Sequence, residues 1–145
     1  MAIDNKQLVL QHLDLSWNRG EFDKIKDFLA DNFFYKTTFT DEILNREQYI
    51  QFIEGFRQAI PDLNIEVELI MSEASHVMSQ ISFFGVVEHP IYGIPASDRV
   101  ITFNAVSIWE INFNKIISLD TLIDIMGLER QIGHHISPLK PLRVR

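Results

Sequence analysis

The chain contains no cysteine, which excludes disulfides, thiolate nucleophiles and cysteine-ligated zinc. That composition fits a reducing cytoplasm, the location expected for it. Positive charge is scarce: 13 Lys and Arg against 20 Asp and Glu leave a net charge of -7. Nucleic acids and anionic membranes both demand clustered Lys and Arg. No basic stripe precedes Lys140, so neither is an expected partner. Long apolar runs are missing as well. None reaches the roughly 20 residues of a membrane-spanning helix, and Met1 to Asp4 lead straight into a polar helical segment without a signal-like stretch. The few glycines form no phosphate-cradling loop, and Ser82, Ser97 and Ser107 stand in no Gly-x-Ser-x-Gly elbow. The histidines show neither His-Glu-x-x-His nor another compact ligand spacing, so no metal and no cofactor is expected.

What remains is a mixed chain of 145 residues, long enough to bury roughly 70% of its unfolded surface in one domain. The domain is expected over residues 1–136, followed by a Pro-containing basic tail over 137–145 that cannot continue a helix. Asp4 and Gln7 form a capping-box pattern, and Val9, Leu10, Leu13 and Trp17 make one helical stripe that Asn18 and Gly20 would end. Phe22, Ile25, Phe28 and Leu29 predict a second, short helix, and Phe33 to Tyr35 a brief strand. Asn45 caps a third helix with Tyr49, Ile50, Ile53, Phe56 and Ile60 facing inward, and Pro61 stops it. From Leu63 the period becomes two, with Ile65, Val67, Leu69 and Met71 on one face. Further strands are predicted over Val77–Glu88, Arg99–Ile111 and Lys115–Ile123, then a short helix over Gly127–Ile132. Helices first and strands later define an α+β layer, with antiparallel pairing between neighbouring strands.

The segment around Asp124 carries the most specific pattern. Lys115, Ile116, Asp124, Gly127, Leu128, Gln131, Ile132 and Gly133 together resemble the C-terminal signature of the SnoaL-like polyketide cyclases, a branch of the NTF2-like superfamily. Trp17-Asn18-Arg19-Gly20, Ile60-Pro61-Asp62-Leu63 and Tyr92 to Arg99 resemble further segments of that family in the same order. The resemblance implies a cone: a curved antiparallel sheet wrapped around three N-terminal helices, a short C-terminal helix, a pocket between the layers and a homodimer through the outer sheet face.

It also implies that Asp124 is a general acid/base acting on a carbon flanked by carbonyls, without metal or cofactor. Such a carboxylate needs a dry pocket that raises its pKa. The alternative is an Asp that caps the last helix through the Gly127 and Leu128 amides. Trp109, Ser107, Tyr35 and Phe83 are the expected contacts for a small hydrophobic ligand carrying a carbonyl. Asp120 shares the strand face of residues 122 and 124, roughly 13 Å from Asp124, too far for a shared proton. Ser107 and Val87 stand where relatives carry histidines. His12 borders the first helix's apolar stripe, which suits a structural or surface role. Three functions stay open: a cofactor-independent cyclase, lyase or isomerase, a non-catalytic binder of a hydrophobic ligand, and a dimeric interaction module.

Overall fold

A computed structural model describes residues 4–133 and 135–136. The tail expected over 137–145 lies outside the described residues. The chain begins with α1 (Asn5–Leu13), whose N-cap Asp4 accepts from the Gln7 amide. It continues into a π-helical turn over Asp14–Asn18, closed by the Arg19 amide on the Asp14 carbonyl at 3.0 Å. The Asn18 side chain accepts from the Ile65 amide at 2.9 Å, and Gly20 turns the chain away at φ +66. The Trp-Asn-x-Gly segment is thereby both a helix end and a clamp on a sheet edge.

The helix α2 (Phe22–Lys26) is shorter than its apolar spacing predicts, because Leu29 already opens β1 (Leu29–Thr37). β1 turns directly into β2 (Thr40–Asn45), a strand the sequence reading lacked. Asn45 and Gln48 then form a full capping box for α3 (Arg46–Ala59), which buries Tyr49, Phe52, Ile53 and Phe56. β3 (Asn64–Glu73), β4 (His76–Val86), β5 (Val100–Asn112) and β6 (Lys115–Ile123) follow, and α4 (Ile125–Ile132) ends the fold.

The six strands form one sheet in the order β2-β1-β6-β5-β4-β3. All neighbours pair antiparallel except β1 and β6, which run parallel. An antiparallel expectation is corrected at that one pair. It arises because the β1–β2 hairpin joins the free edge of the last strand, and that docking leaves β1 pointing along β6.

Inward and outward sides alternate cleanly along β5, where Ile101, Phe103, Ala105, Ser107, Trp109 and Ile111 face the helices. The register carries the same phase to β6, because Ser107 pairs with Thr121 and Trp109 with Leu119. In β3 a bulge between Val67 and Leu69 reverses the phase. Ile70 therefore packs on the core, while Leu69 and Met71, expected on the same face as Ile65, are half exposed. Gly85 in β4 marks a close approach: a Cβ there would lie 2.3 Å from Ile60 Cγ2. Beside it Asp62 accepts from the Val86 amide at 2.9 Å, so the Ile-Pro-Asp-Leu segment tethers the end of α3 to β4.

Candidate functional site

Between the concave face of the sheet and α1 and α3 lies a cavity walled mainly by aromatic rings. Trp17 comes from the π-turn, Tyr49 from α3, Phe83 from β4 and Trp109 from β5. Trp17 meets Phe83 edge-on at 5.0 Å between ring centroids, and Phe83 stacks on Phe103 at 4.7 Å. The space free of atoms here is about 410 Å³, part of it open to solvent, and only a small part of it would admit a water molecule. Side chains must rotate to admit a larger molecule. Over the outer side, Ile91 and Ile94 pair across a two-residue turn in which Tyr92 and Gly93 both take positive φ. That turn lays the Tyr92 ring against three cavity-wall rings, Phe39, Phe52 and Phe56.

Polar groups are few and gathered. Ser107 and Thr121 exchange a hydrogen bond at 2.7 Å, both buried. Burial pushes the Tyr35 phenol up to about 12, while hydrogen bonds with Thr37 and Thr121 act in the opposite direction. Ser107 and Thr121 are thus a hydrogen-bonded hydroxyl pair across β5 and β6, with the Tyr35 phenol of β1 beside Thr121, and all three line the cavity. The Trp109 indole N–H donates to Ser79 Oγ at 2.9 Å, which fixes its ring. At the α1 side, His12 Nε2 lies 2.8 Å from the Tyr49 hydroxyl. Burial holds the His12 imidazole down to about 3, so it is neutral at pH 7, and pushes the Tyr49 phenol well above its ordinary value.

The structure places all four residues expected to touch a ligand, Trp109, Ser107, Tyr35 and Phe83, on this one cavity wall. Asp124 lies elsewhere. Its carboxylate is exposed and accepts from the Gly127 amide at 3.0 Å as the N-cap of α4. The expectation that it faces a dry interior is corrected by the strand phase. Residues 119, 121 and 123 of β6 line the cavity, whereas 120, 122 and 124 point away from it, so Asp120 is exposed too. A Cβ on Gly127 would fall 2.2 Å from Asp124 Oδ2, so glycine at the third helical position leaves room for the cap. Asp124→Ala is expected to cost about 1 kcal/mol of stability and Asp124→Asn only a few tenths. Thermal unfolding of both variants measures this, and equal losses would remove the capping account.

Three residues of this constellation were missed by sequence reasoning. Thr121 could have been found by choosing the odd-numbered phase of β6 from the inward residues of β5. His12, four residues after the buried Leu8, is itself completely buried, and Tyr49 reads from the sequence only as a core residue of α3. Val87 is buried and offers no polar group. Among the described residues no three His, Asp or Glu side chains gather in a metal-binding group, and no helix is long and apolar enough to cross a membrane.

A sheet curved around two helices, with an aromatic cavity between the layers, defines an NTF2-like α+β cone. Solved structures agree on the fold. A SnoaL-like polyketide cyclase from Agrobacterium tumefaciens superposes with a TM-score of 0.79 at 21% identity, over 91% of this chain and 100% of that one. TsrD from Streptomyces laurentii gives 0.77 at 23% identity, over 91% and 98%. A protein with a ketosteroid isomerase-like fold from Catenulispora acidiphila, in complex with trimethylamine, gives 0.72 at 11%, over 87% and 92%. No curated protein matches the chain in sequence. The family model for SnoaL-like polyketide cyclases matches residues 7–132, and the chain belongs to that family.

Proposed function

We propose that the protein binds a small, apolar, carbonyl-bearing molecule in the aromatic cavity and promotes cofactor-independent proton-transfer chemistry on it, of the cyclase, lyase or isomerase type. The observation that carries this reading is the cluster of hydroxyls on the sheet side, the bonded pair Ser107–Thr121 with Tyr35 beside it, on a mainly apolar wall. An apolar enclosure holds the hydrocarbon part of a ligand, and a few converging hydroxyls orient its carbonyl oxygen. In a site shielded from water those hydrogen bonds stabilise charge developing on that oxygen. Family membership supports the same reaction class.

Non-catalytic binding is the second reading, and a specific observation favours it: no Asp or Glu lines the cavity. On the catalytic reading the proton leaving carbon needs an acceptor, and Asp124 would supply one only after leaving its helix cap. Deuterium uptake separates the readings. A slowly enolising aryl ketone such as 1-tetralone is held in D2O with the protein, and exchange at the carbon beside the carbonyl is followed by proton NMR. Protein-dependent acceleration that Ser107→Ala and Thr121→Val diminish is expected. Binding without acceleration leaves the ligand-binding reading, and neither effect points to an interaction module.

Assembly belongs to the same proposal. The outward face of β3 to β6 carries Leu69, Met71, Met78, Ile108 and Leu122, each more than 40% exposed. Apolar side chains gathered on one outer face are the kind of surface that a partner covers. A homodimer through this face is expected, with light scattering at micromolar concentration giving twice the chain mass. The monomer mass would count against it.

A further inference from the structure

His12 is completely buried among Phe28, Tyr49 and Trp109, and its Nδ1 has no hydrogen-bond partner among the described residues. A buried, unpartnered ring nitrogen is costly, and an apolar residue of similar size would avoid the cost. Its other nitrogen is 2.8 Å from the hydroxyl of Tyr49, a residue of the cavity wall. Two proton arrangements satisfy that contact. If the phenol donates to Nε2, Nδ1 carries the proton and is an orphaned buried donor. If Nε2–H donates to the phenol oxygen, Nδ1 is only an orphaned acceptor, the less costly kind. The phenol proton is then free for a third group, and the described protein gives it no other acceptor.

We infer that Tyr49 donates its hydroxyl proton in a hydrogen bond to the carbonyl oxygen of the bound molecule, and that His12, donating from Nε2 to the same oxygen atom of Tyr49, is the residue that positions it. The inference rests on the cavity being a carbonyl-ligand site. It adds a donor from the helix side to the hydroxyls that the sheet supplies. The phenol stays protonated throughout, since burial raises its pKa well above the ordinary value, so it stabilises charge on the ligand oxygen without giving up its proton. Capping by Asn45 and packing against Phe33 and Tyr35, at 5.0 and 4.7 Å between ring centroids, hold the Tyr49 ring in place. From within the π-turn, Ser16 Oγ donates to the His12 carbonyl at 2.6 Å, anchoring the backbone that carries the imidazole.

The test uses acetophenone labelled with carbon-13 at the carbonyl, together with nitrogen-15 histidine spectra of the intact protein. In the probe-saturated wild type, His12 is expected as the Nε2–H tautomer, and the carbonyl carbon resonance should move downfield of its position in an apolar solvent. Tyr49→Phe should keep the fold and bind about tenfold more weakly, with much of the downfield shift lost. His12→Leu should lose part of the shift, and His12→Gln, whose amide can donate to Tyr49, should restore it. An Nδ1–H tautomer in the saturated wild type overturns the inference without any variant. So does a carbonyl shift unchanged in Tyr49→Phe. If no aryl ketone binds the wild type, the carbonyl-site reading fails and the donor role with it. Binding with an unchanged shift in the variant sinks the donor role alone.

Discussion

Replacing Trp109 by alanine is expected to cost the fold about 3–5 kcal/mol, the range for truncating a large buried aromatic. Total stabilities of domains this size lie at about 5–15 kcal/mol, so the variant should be only marginally folded at 25 °C. The side chain is 1% exposed, on the inward phase of β5, where it packs edge-on against His12 at 5.5 Å. Deleting it removes apolar burial, enlarges a cavity whose walls cannot fully collapse, and leaves Ser79 Oγ without its indole partner. Trp109→Phe keeps most of the apolar contact and loses mainly that hydrogen bond, so it should cost considerably less. Urea unfolding reads both: a large fall in midpoint for Ala, a smaller one for Phe. An Ala variant within about 1 kcal/mol of wild type would mean that this wall is not packed as described.

The second large effect is with pH. Folding lowers the His12 pKa from 6.5 to about 3 through desolvation. Above pH 6.5 the imidazole is neutral in both states and contributes no pH dependence. Between 6.5 and about 3 the unfolded chain binds a proton that the folded protein refuses, so stability falls as pH falls, by about 1.4 kcal/mol per unit. The loss should reach about 2 kcal/mol by pH 5. The Glu21 carboxyl, held low first by its hydrogen bond from Lys24, and that of Glu47 add an acid loss of the same sign at lower pH. His12→Gln removes the titrating group and should flatten the curve between pH 7 and 5. Denaturant unfolding at those two pH values measures the difference. Parallel curves for wild type and variant would show that His12 titrates freely.

Most of the architecture was legible because it rests on local signals. Asn45, Pro61, the alternation along 100–112 and the strand over 115–123 each announce their element with chemistry that leaves few options. β2 was not legible, since Thr40 to Asn45 holds only Ile43 and Leu44 as apolar residues, and its pairing depends on a hairpin turn without glycine. Nor was the parallel β1–β6 pair, a tertiary choice that no local periodicity encodes.

The site divided in a similar way. Trp109, Ser107, Tyr35 and Phe83 belong to inward phases that alternation predicts, and they meet at one cavity. Asp124 was misread in its surroundings because an acid between apolar residues at a strand end suits a pocket floor and a helix cap equally, and only the phase of β6 separates them. The family motifs themselves turn out to hold structure. Gln131, for example, pairs through its amide with both backbone groups of Thr102, fastening α4 to β5 like an extra strand residue.

Both tryptophans of the chain, Trp17 and Trp109, line the cavity, so their indole N–H resonances report directly on its contents. The most direct test of a carbonyl-binding cavity is a proton–nitrogen NMR titration of the labelled protein with acetophenone, and in parallel with ethylbenzene, which has nearly the same shape without the oxygen. Both indole resonances should shift along one saturable curve with acetophenone, at an affinity clearly above that for ethylbenzene. Unmoved indole resonances at millimolar acetophenone, or equal affinity for the two compounds, would contradict the account.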